Sequence, residues 1–301
     1  MPEWVIEEGI GETRAALIDG DEIVEARVRR EGVVAAGAVL DAKLVAVAPR
    51  VTVEAGGEQF LLPRGVSGVT EGARLTIEVT REALGGSEPW KRGLARRTDV
   101  ALAPAPPLVE GRAGTIDGWD DLLDEARTGI VRFEGGELRI QPTAAMTVID
   151  VDGWLIPSKL AQMAAWAAAL AIGRLDIGGS IGTDFPTLHG KDERREVDDI
   201  LDAYLPKPFE KTAINGFGFA QIVRPRLRPS LLELGQDRAP FEARALLRHA
   251  GSSIGPTTLT AHPAVIAAIK DEWRERLERH LGGRVTLSAS PALAMSAGHV
   301  H

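Results

Sequence analysis

The sequence predicts a mixed α+β protein: a small β-barrel joined to a layered α/β region, with a short helix–strand region at the end. Three observations predict it. Short strand patterns recur from residue 37 to about 97, with Gly and Pro punctuating them at roughly ten-residue intervals, the spacing of a small barrel or sandwich. A Pro-rich stretch, ALAPAPPLVEGRAG, then marks a boundary. Beyond it, strand patterns alternate with helical ones, which layered α/β folds require.

Residues 3 to 30 read as strands. A hairpin signal lies at Asp19, Gly20 and Asp21, and Val24, Ala26 and Val28 then alternate with Glu25, Arg27 and Arg29, so one face is buried and one is wet. AVLDAKLVAVA, RVTVEAG, EQFLLP and RLTIEVTRE supply the barrel strands. After the boundary, GIVRF and ELRIQP form a hairpin around Gly135 and Gly136, and TVIDV is a short apolar strand. Residues 158 to 172 are apolar nearly all round, which predicts a buried helix. IGGSIGTDF is a second short strand, and KDERREVDDILDAYL is an amphipathic helix with Val197, Ile200, Leu201 and Tyr204 on one face. TAINGFGFAQIVRPRLRPSL predicts a hairpin turning at residues 216 to 218. Residues 263 to 281 carry Ile266, Ile269, Trp273 and Leu277 on one stripe, a packing or dimerisation helix closed by Gly282 and Gly283, and the strand RVTLSAS follows. The expected divisions are 1–36 (N-terminal strands), 37–100 (barrel), 101–250 (α/β domain) and 251–301 (C-terminal helix–strand region).

The bulk properties narrow the chemistry. The 301 residues suffice for a proper core, with 44% apolar and 26% charged residues. No uncharged apolar window approaches the roughly eighteen residues needed to span a bilayer. MPEWVIEEG has acidic residues where a secretory signal needs a basic start, so the cytoplasm is the expected address. There is no cysteine, which removes disulfides, thiol nucleophiles and thiolate zinc sites. The six histidines show no HExxH-type spacing, and the Gly-rich GIGETR and IGGSIG lack the lysine and context of a phosphate loop. A net charge of −8 argues against a protein that coats nucleic acid by charge alone. It leaves room for a nuclease whose carboxylates gather at a metal.

Two apolar strands end in acids: Asp150, with Asp152 two residues on, and Asp184. Sites in α/β sheets gather at the carboxyl ends of strands. The helical segment between these strands has the length of a crossover that makes them parallel neighbours. Adjacent carboxylates resist joint ionisation unless a divalent cation neutralises them, and oxygen-only ligation favours Mg²⁺ or Mn²⁺ over zinc. Asp150 and Asp152 share a face of a regular strand, so all three carboxylates are candidate metal ligands. A helix cap or turn is the competing role for the same aspartates.

Arg224, Arg226 and Arg228 fall at period two, with Phe217 and Phe219 just upstream, a pattern that suits either an RNA backbone or a solvated strand face. In the barrel, Phe60, Lys43, Lys91 and Arg92 are the candidate contacts to single-stranded nucleic acid, with packing the competing role. The six tryptophans show no clustering in sequence.

Taken together, these segments resemble the bacterial ribonuclease E/G family. IGETRAALIDGDEIVEARVRREG resembles the family's opening strands, and GAVLDAKLVAVAP with EQFLLPRG resembles its inserted S1-type RNA-binding barrel, of OB type. QPTAAMTVIDVDG and LDIGGSIGTDFPTL resemble the two metal-carrying strands of its DNase I-like subdomain. TAINGFGFAQIVRPRLRPSL and AHPAVIAAIKDEWRERLERHLGGRVTLSASPAL resemble the segments that follow. The order is collinear over most of the chain. The resemblance implies an Mg²⁺-dependent endoribonuclease acting on single-stranded RNA, with Asp150 and Asp184 as metal ligands and Asp152 where the family usually has Asn. Most of the family's 5′-sensing region is missing, as is much of its RNase H-like subdomain. The polar, glycine-containing loop after the first aspartate is replaced by WLIPSK. Without cysteine the family's zinc link cannot form, so any homo-oligomer is held without it. A second reading is an RNA-binding or assembly protein on the same scaffold with weak or no cleavage.

Overall fold

The computed structural model describes residues 1–85 and 90–301. Three antiparallel strands open the chain, β1 (Glu3–Glu8), β2 (Glu12–Asp19) and β3 (Glu22–Arg30), with the expected turn at Gly20 and Asp21. Five strands follow: β4 (Val39–Ala46), β5 (Thr52–Ala55), β6 (Glu58–Leu61), β7 (Arg74–Arg81) and β8 (Gly93–Arg97). They close into a barrel in the order β4-β5-β6-β8-β7. Its inward residues, among them Leu44, Val53, Ile77 and Ala95, form a core of their own. The β6–β8 pairing is parallel and sets Phe60 beside Gly93, where a Cβ would lie 2.5 Å from the ring. Only glycine allows the barrel to close over that side chain.

The Pro-rich segment leads to β9 (Arg112–Ala113), which adds to β1, giving the four-stranded order β3-β2-β1-β9. Then come α1 (Trp119–Thr128), β10 (Ile130–Phe133), β11 (Gly136–Pro142), β12 (Thr147–Gly153), α2 (Pro157–Arg174) and β13 (Gly179–Asp184). After them run α3 (Lys191–Tyr204), β14 (Glu210–Lys211), β15 (Phe219–Arg224), α4 (Leu231–Gln236) and α5 (Arg238–Ala250). The strands build a mixed six-stranded sheet, β10-β11-β12-β13-β15-β14. As expected, α2 is the crossover that makes β12 and β13 parallel. Its small side chains are buried all round because it packs against β3 on one side and β10, β11 and β12 on the other. That burial of apolar surface is the main force joining the two sheets. The sheet's opposite face is wet: Arg132, Arg139, Gln141, Asp150, Asp152 and Asp184 are all exposed.

The chain ends with β16 (Thr257–Ala261), α6 (Pro263–Ala268), α7 (Asp271–Leu281), β17 (Val285–Ala289) and β18 (His299–Val300), forming the sheet β17-β16-β18. The single helix expected over 263–281 is two helices. Ile269 and Lys270 are extended, and Lys270 caps α7, whose first turn holds Asp271 and Glu272 where the helix dipole favours acids. Ile269, Trp273 and Leu277 of the expected stripe share one core with Leu246 and Leu247 of α5, but in α6 the fully buried residue is Val265, and Ile266 is only partly buried. Gly282 ends α7 in the left-handed conformation, as expected. Among the described residues no helix is long and apolar enough to cross a membrane.

An ion network ties β1 to α5. Glu7 accepts from Arg14 and Arg248, each at 2.9 Å, and from the backbone N–H of Ile116 at 2.9 Å. Burial works to raise the Glu7 pKa, but these bonds and the two positive charges outweigh it and hold the carboxyl below its ordinary value. A carboxyl depressed in the folded state stabilises the fold above its unfolded-state pKa, and loses that contribution as pH falls through its folded value. Glu7→Gln is therefore expected to cost about 1–3 kcal/mol at neutral pH, a gap that narrows on acidification. Melting temperatures of both proteins across pH 7 to 3 check it, and a gap independent of pH would show that the network is not what holds Glu7.

Candidate active site

The alternation of side chains along β12 and β13 determines where the aspartates go. Thr147 and Ile149 on β12, and Ile181 and Thr183 on β13, are buried on the helical side, so Asp150 and Asp184, of the opposite parity, point to the other face, where both are exposed. Register then aligns them. Asp150 is the direct partner of Asp184 across the parallel pair. On the far sides, Arg139 of β11 pairs with Asp150, and Phe219 of β15 pairs with Asp184. One row across the wet face therefore reads Arg139, Asp150, Asp184, Phe219. Neighbouring strands lie about 4.8 Å apart, so the two carboxylates can reach one cation.

Asp152 stands one row further along, opposite Glu137. The expectation that it joins the pair as a third metal ligand is not met. Among the described residues no three His, Asp or Glu side chains are grouped closely enough to hold a metal ion. Two residues of strand separate Asp150 from Asp152 by about 6.5 Å, and Asp152 lies 3.7 Å from the Arg139 guanidinium instead.

The hairpin before β15 fixes the other flank. The Asn215 side chain accepts hydrogen bonds from the backbone N–H groups of Phe217 and Phe219, and Phe185 N–H donates to the Gly218 carbonyl at 3.1 Å. Gly218 has φ +93°, and a Cβ there would lie 2.2 Å from the Phe185 carbonyl oxygen. Gly218→Ala is thus expected to cost about 1–3 kcal/mol or more and to push β15 away from Asp184. Thermal melts check it, and an unchanged melting temperature would show that the hairpin is not held this tightly.

The arginine stripe expected at 224, 226 and 228 does not exist as an RNA-facing surface. Pro225 and Pro229 interrupt the extended pattern and β15 stops at Arg224. Arg224 turns inward, donating to the carbonyls of Ile177 at 2.8 Å and Pro206 at 3.2 Å, and burial lowers its pKa. Arg226 is paired with Glu233, and Arg228 with Asp176 at 3.0 Å. These arginines tie the end of β15 to α4 and to the turn after α2.

Phe60 is also corrected: it is fully buried in the barrel core and presents no ring to solvent. Lys43 is exposed on β4, opposite Glu54 and Arg74. Lys91 and Arg92 enter β8, with Arg92 exposed and its carbonyl accepting from Arg81 at 2.8 Å. The exposed aromatic beside them is Trp90. The two residues that follow it, Lys91 and Arg92, are basic, the signal that could have singled it out. Arg139 was likewise unmarked and Phe219 was read only with the arginine stripe, because only strand register brings them to the aspartates.

A larger hollow, of about 830 Å³, lies between β1, α5 and α7. Most of its charges are paired with one another: Asp120 with His249 at 2.9 Å, and Glu7 with Arg14 and Arg248. It is a seam between packed elements. No protein-family model matches the chain, and no curated protein matches it.

Proposed function

We propose that the chain is an Mg²⁺-dependent endoribonuclease acting on single-stranded RNA, with Asp150 and Asp184 as its metal ligands. The observation that carries this reading is their direct pairing across β12 and β13 on an uncovered sheet face. A pair of carboxylates fits Mg²⁺, which is commonly bound by one or two carboxylates, several waters and the substrate's own phosphate oxygens. Mn²⁺ has the same oxygen preference. When bound, the cation would supply an activated water and offset charge on the phosphodiester. The protein's own part is to hold the two carboxylates in fixed register, with Arg139 as the strand partner of Asp150 and its guanidinium shared by Glu137 and Asp152. The resemblance to the ribonuclease E/G family supports the same assignment, with the barrel as an S1-type RNA clamp and the six-stranded unit as a DNase I-like domain. The cytoplasm is the compartment that goes with RNA processing or turnover. Any homo-oligomer forms without a zinc bridge.

The competing reading, an RNA-binding or assembly protein with little or no cleavage, draws support from the arginines consumed in ion pairs and from the extra negative charge of Asp152. Incubating the full chain with a single-stranded RNA, with Mg²⁺ and then with excess chelator, separates the two. Internal cleavage that the chelator stops supports the endoribonuclease. Binding of the RNA with no products in Mg²⁺ or Mn²⁺ supports the binding protein.

A further inference from the structure

Beyond Asp152 the wet face of the sheet ends in a hollow of about 400 Å³, lined by Arg132, Phe133, Glu137, Arg139, Asp152 and Trp154. Gly136 of β11 and Gly153 of β12, direct register partners, also border it. Trp154 stands beside them with its side chain 80% exposed. Its backbone is nevertheless held, since the Trp154 N–H donates to the Gly135 carbonyl at 3.1 Å. A large ring kept in water on a fixed backbone is a platform already ordered for a flat partner, so little further backbone ordering is needed on binding.

The charges around it are not those of an apolar docking patch. Arg132 is exposed and makes no hydrogen bond or ion pair with any described residue. Arg139 bonds Glu137 at 2.9 Å and lies in the same row as Asp150. An aromatic face, two guanidiniums and two carboxylates together match a nucleotide. The ring stacks a base, the cations meet phosphate, and a carboxylate accepts from the amino groups on a base edge. Arg132 is the guanidinium left open to an anion, whereas Arg139 is shared with Glu137 and Asp152.

We propose that this hollow is a nucleobase subsite in which Trp154 stacks a base of the bound RNA while Arg132 and Arg139 hold the adjoining backbone. The inference rests on the endoribonuclease reading for the position of the scissile phosphate at Asp150 and Asp184. Trp154 follows the last residue of β12, four positions after Asp150 and at most about 13 Å along the chain, so the stacked base lies beside the cleaved linkage and not at it. Stacking tolerates any base, which gives grip on single strands without a sequence code, and a continuous duplex, whose bases are already stacked, is excluded.

The test compares wild type, Trp154→Ala, Trp154→Phe and Arg132→Ala as full chains, with folding checked by circular dichroism. Binding is read by fluorescence anisotropy in metal-free buffer, using a labelled single-stranded oligoribonucleotide and an abasic version of it. Trp154→Ala is expected to weaken binding of the intact oligonucleotide by about 5- to 150-fold, to leave the abasic one unchanged, and to raise KM for cleavage more than it lowers kcat. Trp154→Phe should restore most of the affinity, and Arg132→Ala should weaken both oligonucleotides. Equal affinity of wild type and Trp154→Ala for the intact strand overturns the subsite, whether or not wild type cleaves. Trp154-dependent binding without cleavage keeps the subsite and removes the nuclease, whereas cleavage with an unchanged KM in Trp154→Ala does the reverse. Absence of RNA binding by wild type overturns both, and leaves Trp154 as a protein contact.

Discussion

Asp184→Asn is expected to lower Mg²⁺-dependent RNA cleavage by about 10²–10³-fold or more, with no loss of folded structure. Asp184 is exposed at the end of β13, and its backbone pairing to Asp150 and Phe219 does not involve the side chain. Asn keeps the shape and removes the charge, so a failed assay could not be blamed on a broken strand. A second readout separates metal binding from chemistry. A cation bound only by the folded state raises its stability by RT ln(1 + [L]/Kd), so wild type should melt higher as Mg²⁺ is added and Asp184→Asn should gain little. Without cation the variant should be no less stable than wild type, because it relieves repulsion between two carboxylates on adjacent strands. Asp152→Asn is the contrasting substitution: it lies outside the pair, 3.7 Å from Arg139, and should leave the Mg²⁺ response intact. Cleavage by Asp184→Asn at the wild-type rate would remove the proposed site.

How much of this was legible depended on whether the deciding contact was local. The barrel strands and the β12–α2–β13 crossover could be read from alternation, spacing and an all-round apolar helix, because those patterns reflect burial directly. The two aspartates followed, since strand ends and parity are local properties. Register was not local: which side chains stand beside Asp150 and Asp184 depends on β11 and β15, and so Arg139 stayed unmarked and Phe219 was tied only to the arginine stripe. The arginines at 224, 226 and 228 were misjudged for the same reason. Period two was there in sequence, but Asp176, which takes Arg228, lies 52 positions away. Pro225 and Pro229 were the local warning that the strand would not continue. Helix α1 escaped notice because its ends carry glycines in the left-handed conformation, Gly118 and Gly129, which read equally well as loop punctuation. Trp154 shows the remaining limit: sequence gives a tryptophan after a strand, and only packing shows that nothing covers it.

Phe60 could have been assigned correctly from parity alone, and its substitution carries the largest expected effect on stability. In EQFL the outward Gln59 precedes Phe60, which lies wholly inside the barrel among Leu44, Val53 and Ile77. Phe60→Ala should cost about 3–5 kcal/mol, made up of lost burial and of the cavity left behind. Collapse around that cavity is restricted on one side. Gly93, the register partner of Phe60 in β8, has no side chain to move inward, and β6 and β8 are fixed by the backbone pairing that closes the barrel. Because the barrel has a core separate from that of the six-stranded unit, the loss should appear as an early unfolding step of the barrel while the rest melts later. Phe60→Leu, which refills much of the volume, should recover most of the difference. RNA affinity measured well below that first transition distinguishes the two roles of the ring. If Phe60→Leu folds as wild type does and binds single-stranded RNA equally well, the ring is structural. A Phe60→Leu protein of wild-type stability that binds RNA poorly would instead place the ring in contact with a base.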